Sequence, residues 1–213
     1  MRDLVLLVPD KNTEYTLRGA LSRPQALGIR QIDFEILVEQ GRDGGVRRRG
    51  IQVIEGQSSR FSHALVILDY EGCGSNVPAS GLEQQLDAGL SDKWGDRGKA
   101  IVIEPELDIW MWGADSHLRA MLDWTFPEDV RAWLVSESFV FDADGKPERP
   151  KEALEAACKR AQTPRSSARY EQVARRISLT KCKDPAYQRL RVSLVTWFGT
   201  AESAPSGDHD SAS

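Results

Sequence analysis

The sequence predicts an α/β fold: a parallel-rich sheet of about four strands flanked by helices, continued by a helical C-terminal extension. Three observations carry this. Leu4-Val5-Leu6-Leu7-Val8 and Ala64-Leu65-Val66-Ile67-Leu68 are unbroken apolar runs, the pattern of strands buried on both faces. Strand-like and helix-like segments alternate three times, which is the βαβ order of a parallel sheet. Beyond residue 145 the apolar spacing is helical throughout. The expected organisation is a core over residues 1–145, a helical extension packed on it over 146–200, and a disordered tail over 201–213.

The elements follow in order. Pro9 stops the first apolar run, and Asn12 or Thr13 caps a helix whose inner face is Leu17, Ala20 and Leu21. Pro24 and Gly28 punctuate its end. Ile32, Phe34, Ile36 and Val38 alternate as in a strand with one less buried face. Gly41 to Gly50 holds four glycines with Arg42, Arg47, Arg48 and Arg49; it reads as a flexible basic loop leading to a short helix through Ile51 and Ile54. Three consecutive arginines cannot all face one way on a helix. The third strand, Ala64–Leu68, runs into a glycine-rich turn, Asp69-Tyr70-Glu71-Gly72-Cys73-Gly74-Ser75. That turn lacks a full phosphate-loop or dinucleotide pattern. Leu82, Leu86 and Leu90 mark the next helix, and Ala100–Ile103 a short fourth strand. Leu107–Trp112 reads as a buried helical start. Pro150–Leu154 opens a helix; Tyr170, Val173, Ala174 and Ile177 share one helical face, and Tyr187, Leu190, Leu194, Trp197 and Phe198 another. Trp110, Trp112, Trp124 and Trp133 read as core before base-stacking platforms.

Composition narrows the function classes. A formal net charge of −4 over 213 residues speaks against a general basic coat for nucleic acid, though not against a local basic patch. The three cysteines are odd in number and lack metal-ligand spacing, as in a reduced, cytoplasmic chain without a disulfide framework. His63, His117 and His209 stand too far apart in sequence to suggest a zinc site or a histidine triad. Leu4–Val8 is too short for a signal core, and no apolar run approaches the roughly 20 residues of a membrane span.

The chemistry gathers at strand ends. Ligands of an open parallel sheet bind beyond the carboxyl ends of its strands. Asp10 follows the first strand, Asp69 and Glu71 the third, and Glu104 and Glu106 the fourth, with Asp108 just beyond. An acid there also serves to cap the next helix or start a turn. If the strands are neighbours, however, the carboxylates converge, repel one another, and are relieved by a hard cation such as Mg²⁺ or Mn²⁺. Asp69 and Glu71 are two apart, so in extended chain both face one ion. Lys11, Arg42, Arg47 and Arg48 are the cations placed to meet a nucleic-acid phosphate.

These segments resemble a known family. Leu4 through Pro9-Asp10-Lys11-Asn12-Thr13-Glu14 resembles the first Toprim motif, a strand leading to an acid and then a Thr-Glu helix start. Leu65-Val66-Ile67-Leu68-Asp69-Tyr70-Glu71-Gly72 resembles the second. Ile103-Glu104-Pro105-Glu106-Leu107-Asp108-Ile109-Trp110 is similar to the Pro-Glu-x-Glu-x-Trp segment of small Toprim-like proteins of the DUF4276 family. The resemblance implies a Toprim-like (Rossmannoid) fold and a Mg²⁺-dependent phosphodiester hydrolase, nuclease-like, of a bacterial anti-phage defence system. It places Asp10, Glu14 and Asp69 in catalytic positions and Asp69, Glu71, Glu104 and Glu106 as metal ligands. Asp10-Lys11 replaces the usual Glu-Gly, and Asp69-Tyr70-Glu71 the commoner Asp-x-Asp. Those departures suit an alternative: a catalytically degenerate Toprim-like module acting as a partner-binding subunit of a defence complex. The partners open to the chain are nucleic acid, a protein of such a complex, and further copies of itself in an oligomer.

Overall fold

Among the described residues four strands form one all-parallel sheet in the order β2-β1-β3-β4. They are β1 (Arg2–Val8), β2 (Phe34–Val38), β3 (Phe61–Asp69) and β4 (Gly98–Ile103). This is a computed structural model, and it describes residues 1–113, 115–176 and 182–200. Ile177 and the tail from residue 201 therefore lie outside the described residues. β1 and β3 are central, which is why their apolar runs are unbroken: Leu4 to Val8 and Ala64 to Leu68 are buried.

Alternation along the strands builds two apolar layers. Leu4, Leu6, Val8, Leu65, Ile67, Ile101 and Ile103 face α1 (Lys11–Leu21) and the C-terminal helices. Val5, Leu7, Ala64, Val66, Leu68, Ala100 and Val102 face α3 (Arg42–Glu55) and α4 (Ala79–Trp94). A short helix α2 (Pro24–Leu27) closes the first crossover and ends on Gly28 at φ 78°, a left-handed cap. The chain passes from β1 out to β2, then back across β1 to β3, so the winding reverses between β1 and β3. Doubly wound sheets bind ligands at that reversal, beyond the strand ends.

The basic segment expected as a loop is helical from Arg42 onward. Its glycines serve close packing. A Cβ on Gly45 would meet Glu39 Cγ at 2.8 Å, and one on Gly50 would meet Leu7 Cδ2 at 3.2 Å and Val66 Cγ1 at 3.4 Å. The first helix is capped by Asp10, whose Oδ1 accepts from Thr13 N–H at 2.9 Å, rather than by Asn12 or Thr13. Leu107–Met111 forms a 3₁₀ turn that buries Trp110.

The remaining helices are α5 (Asp115–Leu122), α6 (Val130–Ser136), α7 (Pro150–Arg160), α8 (Ser167–Ala174) and α9 (Pro185–Phe198). Their apolar faces belong to the same buried cluster as β1 and α1. α8 lies directly on α1 at Gly19, where an added Cβ would stand 2.6 Å from Glu171 O and 2.8 Å from Ala174 Cβ. Trp110 Nε1 donates to Asp184 Oδ1 at 2.9 Å, tying the 3₁₀ turn to the cap of α9. The free edge of β4 is covered by side chains: Ala100 N–H donates to Asp87 Oδ1 and Val102 N–H to Glu83 Oε2, both at 2.7 Å, while Arg189 Nη2 donates to Val102 O at 3.1 Å. Among the described residues no helix is long and apolar enough to cross a membrane.

Candidate metal centre

An open cleft of about 630 Å³ lies over the carboxyl ends of β1 and β3. Its floor is acidic. Asp10 caps α1 immediately after β1, and its Oδ1 also accepts from Thr13 Oγ1 at 3.0 Å. Asp69 closes β3, and its Oδ1 accepts from Leu107 N–H at 2.9 Å. Asp43, in the first turn of α3, reaches back over β3 and accepts from Asp69 N–H through Oδ1 at 2.8 Å. Glu71, Glu106, Asp108, Glu152 and Glu155 are the other acids of the lining.

The carboxyls perturb one another. Burial raises the Asp69 carboxyl well above its ordinary range, and Asp43, Asp10 and Asp108 add repulsion against the Leu107 N–H that favours the anion. Asp43 is raised by burial and by Asp10, despite the Asp69 N–H and Arg42. Glu106 is pushed up to about 7 by burial, then by Asp108, Glu71 and Glu152, with Lys151 opposing. Asp108 is raised by burial even though Arg165 and Tyr170 hold it: Arg165 Nη2 donates to Oδ1 and Oδ2 at 2.9 and 2.8 Å, and Tyr170 OH donates to Oδ1 at 2.6 Å. Burial is the first cause of each shift, and crowding of like charge adds to it.

The residues singled out from the sequence separate into two groups. Asp10, Asp69, Glu71, Glu106, Arg42 and Arg48 line this cleft. Glu104 does not. Residues of β4 alternate, and Glu104 falls on the same side as Ala100 and Val102, facing a different cleft with Glu83 and Arg189. Glu14 is buried beneath Arg18 and Lys11, at 2.8 and 3.2 Å; burial raises its carboxyl, but the two cations outweigh this and lower it. Lys11 is thereby engaged. Arg47 Nε donates to Cys73 O at 2.8 Å, and Arg49 pairs with Glu39. The three consecutive arginines thus point three ways, and only Arg48 reaches the cleft.

Asp43, Lys151 and Arg165 belong to the cleft without having been singled out. The signal for Asp43 was masked: Gly41 to Gly50 reads as a loop, and only the structure shows Asp43 opening α3 and accepting from Asp69 N–H. Lys151 and Arg165 come from the extension, whose docking no local pattern specifies.

Among the described residues no three Asp, Glu, His or Cys side chains converge closely enough to hold a metal ion in the arrangement present. The donor chemistry nevertheless suits a hard divalent cation. It is all oxygen, and the Asp10–Asp43–Asp69 group carries the mutual repulsion that a cation relieves. Those three would hold it, with Glu71 and Glu106 at the margin.

Neither protein-family models, nor curated proteins, nor solved structures match the chain.

Proposed function

We propose that the chain is a divalent-cation-dependent phosphodiester hydrolase acting in the cleft over β1 and β3. The observation that carries this reading is that Asp10, Asp43 and Asp69, from three different segments, line one cleft at the point where the sheet winding reverses. Arg42 and Arg48 line the same cleft, and arginine forks suit phosphate oxygens. The order of the strand-end motifs and their resemblance to the Toprim and DUF4276 families point the same way. A bound Mg²⁺ or Mn²⁺ supplies Lewis acidity toward phosphate. The chain's own part is to hold that charge with three aspartates, anchor phosphate oxygens with Arg42 and Arg48, and keep Asp69 aimed through Leu107 N–H and Asp43. Free thiols at Cys73, Cys158 and Cys182 fit a cytoplasmic setting, as in a bacterial defence system.

Asp69→Asn tests this, because the amide oxygen still accepts from Leu107 N–H and the fold is kept. Calorimetric titration should show Mn²⁺ binding by the wild type, weakened about tenfold or more in the variant. Phosphodiester hydrolysis in Mn²⁺ should fall about a hundredfold. A wild-type chain that binds no Mn²⁺ overturns the reading. That outcome supports the second reading, a partner-binding module of a defence complex without catalysis. The engagement of Asp10 and Asp69 oxygens by Thr13 and Leu107 favours it, as does the lack of three convergent donors among the described residues.

A further inference from the structure

The two walls of the cleft differ in charge. The α3 wall presents Arg42 and Arg48, both exposed, and neither guanidinium has a hydrogen bond or ion pair among the described residues. The opposite wall comes from the extension, and its cations are engaged. Arg165 is held by both Asp108 oxygens, by Glu155 at 3.0 Å and by Tyr170. Lys151 stands 4.0 Å from Glu106. Glu152 and Glu155 are exposed on that wall. Among the described residues eight carboxyl and four cationic side chains line the cleft, a formal excess of four negative charges.

We infer that the substrate is a small, nucleotide-sized phosphodiester, anchored at one end by Arg42 and Arg48, rather than a nucleic-acid strand threaded across the cleft. This rests on the phosphodiesterase reading. A strand running away from α3 carries its next phosphates past Glu152 and Glu155, where they meet like charge instead of released counterions. Continuous backbone tracking needs a run of unpaired cations along the path, and here they stop at one wall. One divalent ion leaves the formal charge of the lining still negative. A cleft of about 630 Å³ falls in the range of small-molecule sites, about 300–1,000 Å³.

The test compares the dinucleotide thymidylyl-(3′→5′)-thymidine, a small ester with an ordinary sugar leaving group, with 30-nucleotide DNA and RNA strands and a DNA duplex, all in Mn²⁺. The expected result is turnover of the small ester, with kcat/KM about a hundredfold above that for any internal bond of the oligonucleotides. Arg48→Ala should raise KM about tenfold with kcat nearly unchanged, as loss of uniform binding does. Glu152→Lys, at an exposed position, should tighten binding of the 30-mers about tenfold in fluorescence anisotropy at low salt. Internal cleavage of the 30-mers at a rate equal to that of the ester overturns the inference. So does Mn²⁺ binding with no turnover of the ester, which leaves the metal site standing. Absence of both Mn²⁺ binding and turnover defeats the underlying reading instead.

Discussion

Glu106→Gln should stabilise the chain, and by an amount that depends on pH. Glu106 is 7% exposed, and its nearest cation, Lys151, is 4.0 Å away. Its pKa moves from an ordinary 4.5 to about 7 on folding. The folded state therefore binds the proton more tightly, so stability is greatest where the group is protonated in both states. It is lost progressively from about pH 4.5 upward, and the loss is complete once pH passes about 7. The difference in pKa is worth about 3 kcal/mol. Glutamine stands in for the protonated acid at every pH. The variant should gain about 1 kcal/mol at pH 5 and about 3 kcal/mol at pH 8. For a chain of this size the larger figure is a rise in Tm of roughly 6–12 °C. Thermal denaturation of both proteins in EDTA at pH 5, 6, 7 and 8 measures it. A variant less stable than wild type at pH 8, or an advantage that does not change with pH, refutes the reasoning. Adding Mg²⁺ should narrow the gap at pH 8, because the cation rewards the carboxylate that the amide has lost.

Three further outcomes follow from packing and pairing. Arg165→Met leaves the buried Asp108 carboxylate without its cation and should cost about 3–5 kcal/mol; in urea denaturation the Asp108→Asn, Arg165→Met double variant should recover more than half of that, and additive losses would show the pair to be uncoupled. Gly19→Val drives a side chain into Glu171 O and Ala174 Cβ and should cost about 1–3 kcal/mol, with faster proteolysis of the segment carrying α8; an unchanged denaturation midpoint would mean that α1 and α8 are not seated as described. Asp87→Ala removes the acceptor for Ala100 N–H and should cost about 1 kcal/mol, read as a lower urea midpoint at unchanged m; no change would mean that water replaces the carboxylate at no cost.

The sheet was legible because its central strands carry their own signature. Residues Leu4–Val8 and Ala64–Leu68 are apolar at every position, and only burial on both faces accounts for that. The site was partly legible for the same reason: Asp10 and Asp69 end those two strands, and their convergence follows once β1 and β3 are neighbours. Glu104 was grouped with Glu106 by proximity in sequence, yet counting from Ile103 places it on the opposite side of the sheet. Asp43 was hidden by Gly41, Gly44 and Gly45, which read as loop residues. In the fold, Gly45 lets α3 close on Glu39, a tertiary demand that local propensity does not record. Arg165 was unreadable: its meaning depends on Asp108, 57 residues away, and on where α8 docks.

Helix α4 lends Glu83 and Asp87 to the outermost strand, and α9 lends Arg189. The amides of Ala100 and Val102, and the carbonyl of Val102, are thereby already answered from within the molecule. A fifth strand arriving on that flank would have to evict two carboxylates and a guanidinium before making its first ladder bond. Growth of the sheet by recruitment of another chain is discouraged on the β4 flank, and an assembly built by strand addition would be directed to the β2 flank instead.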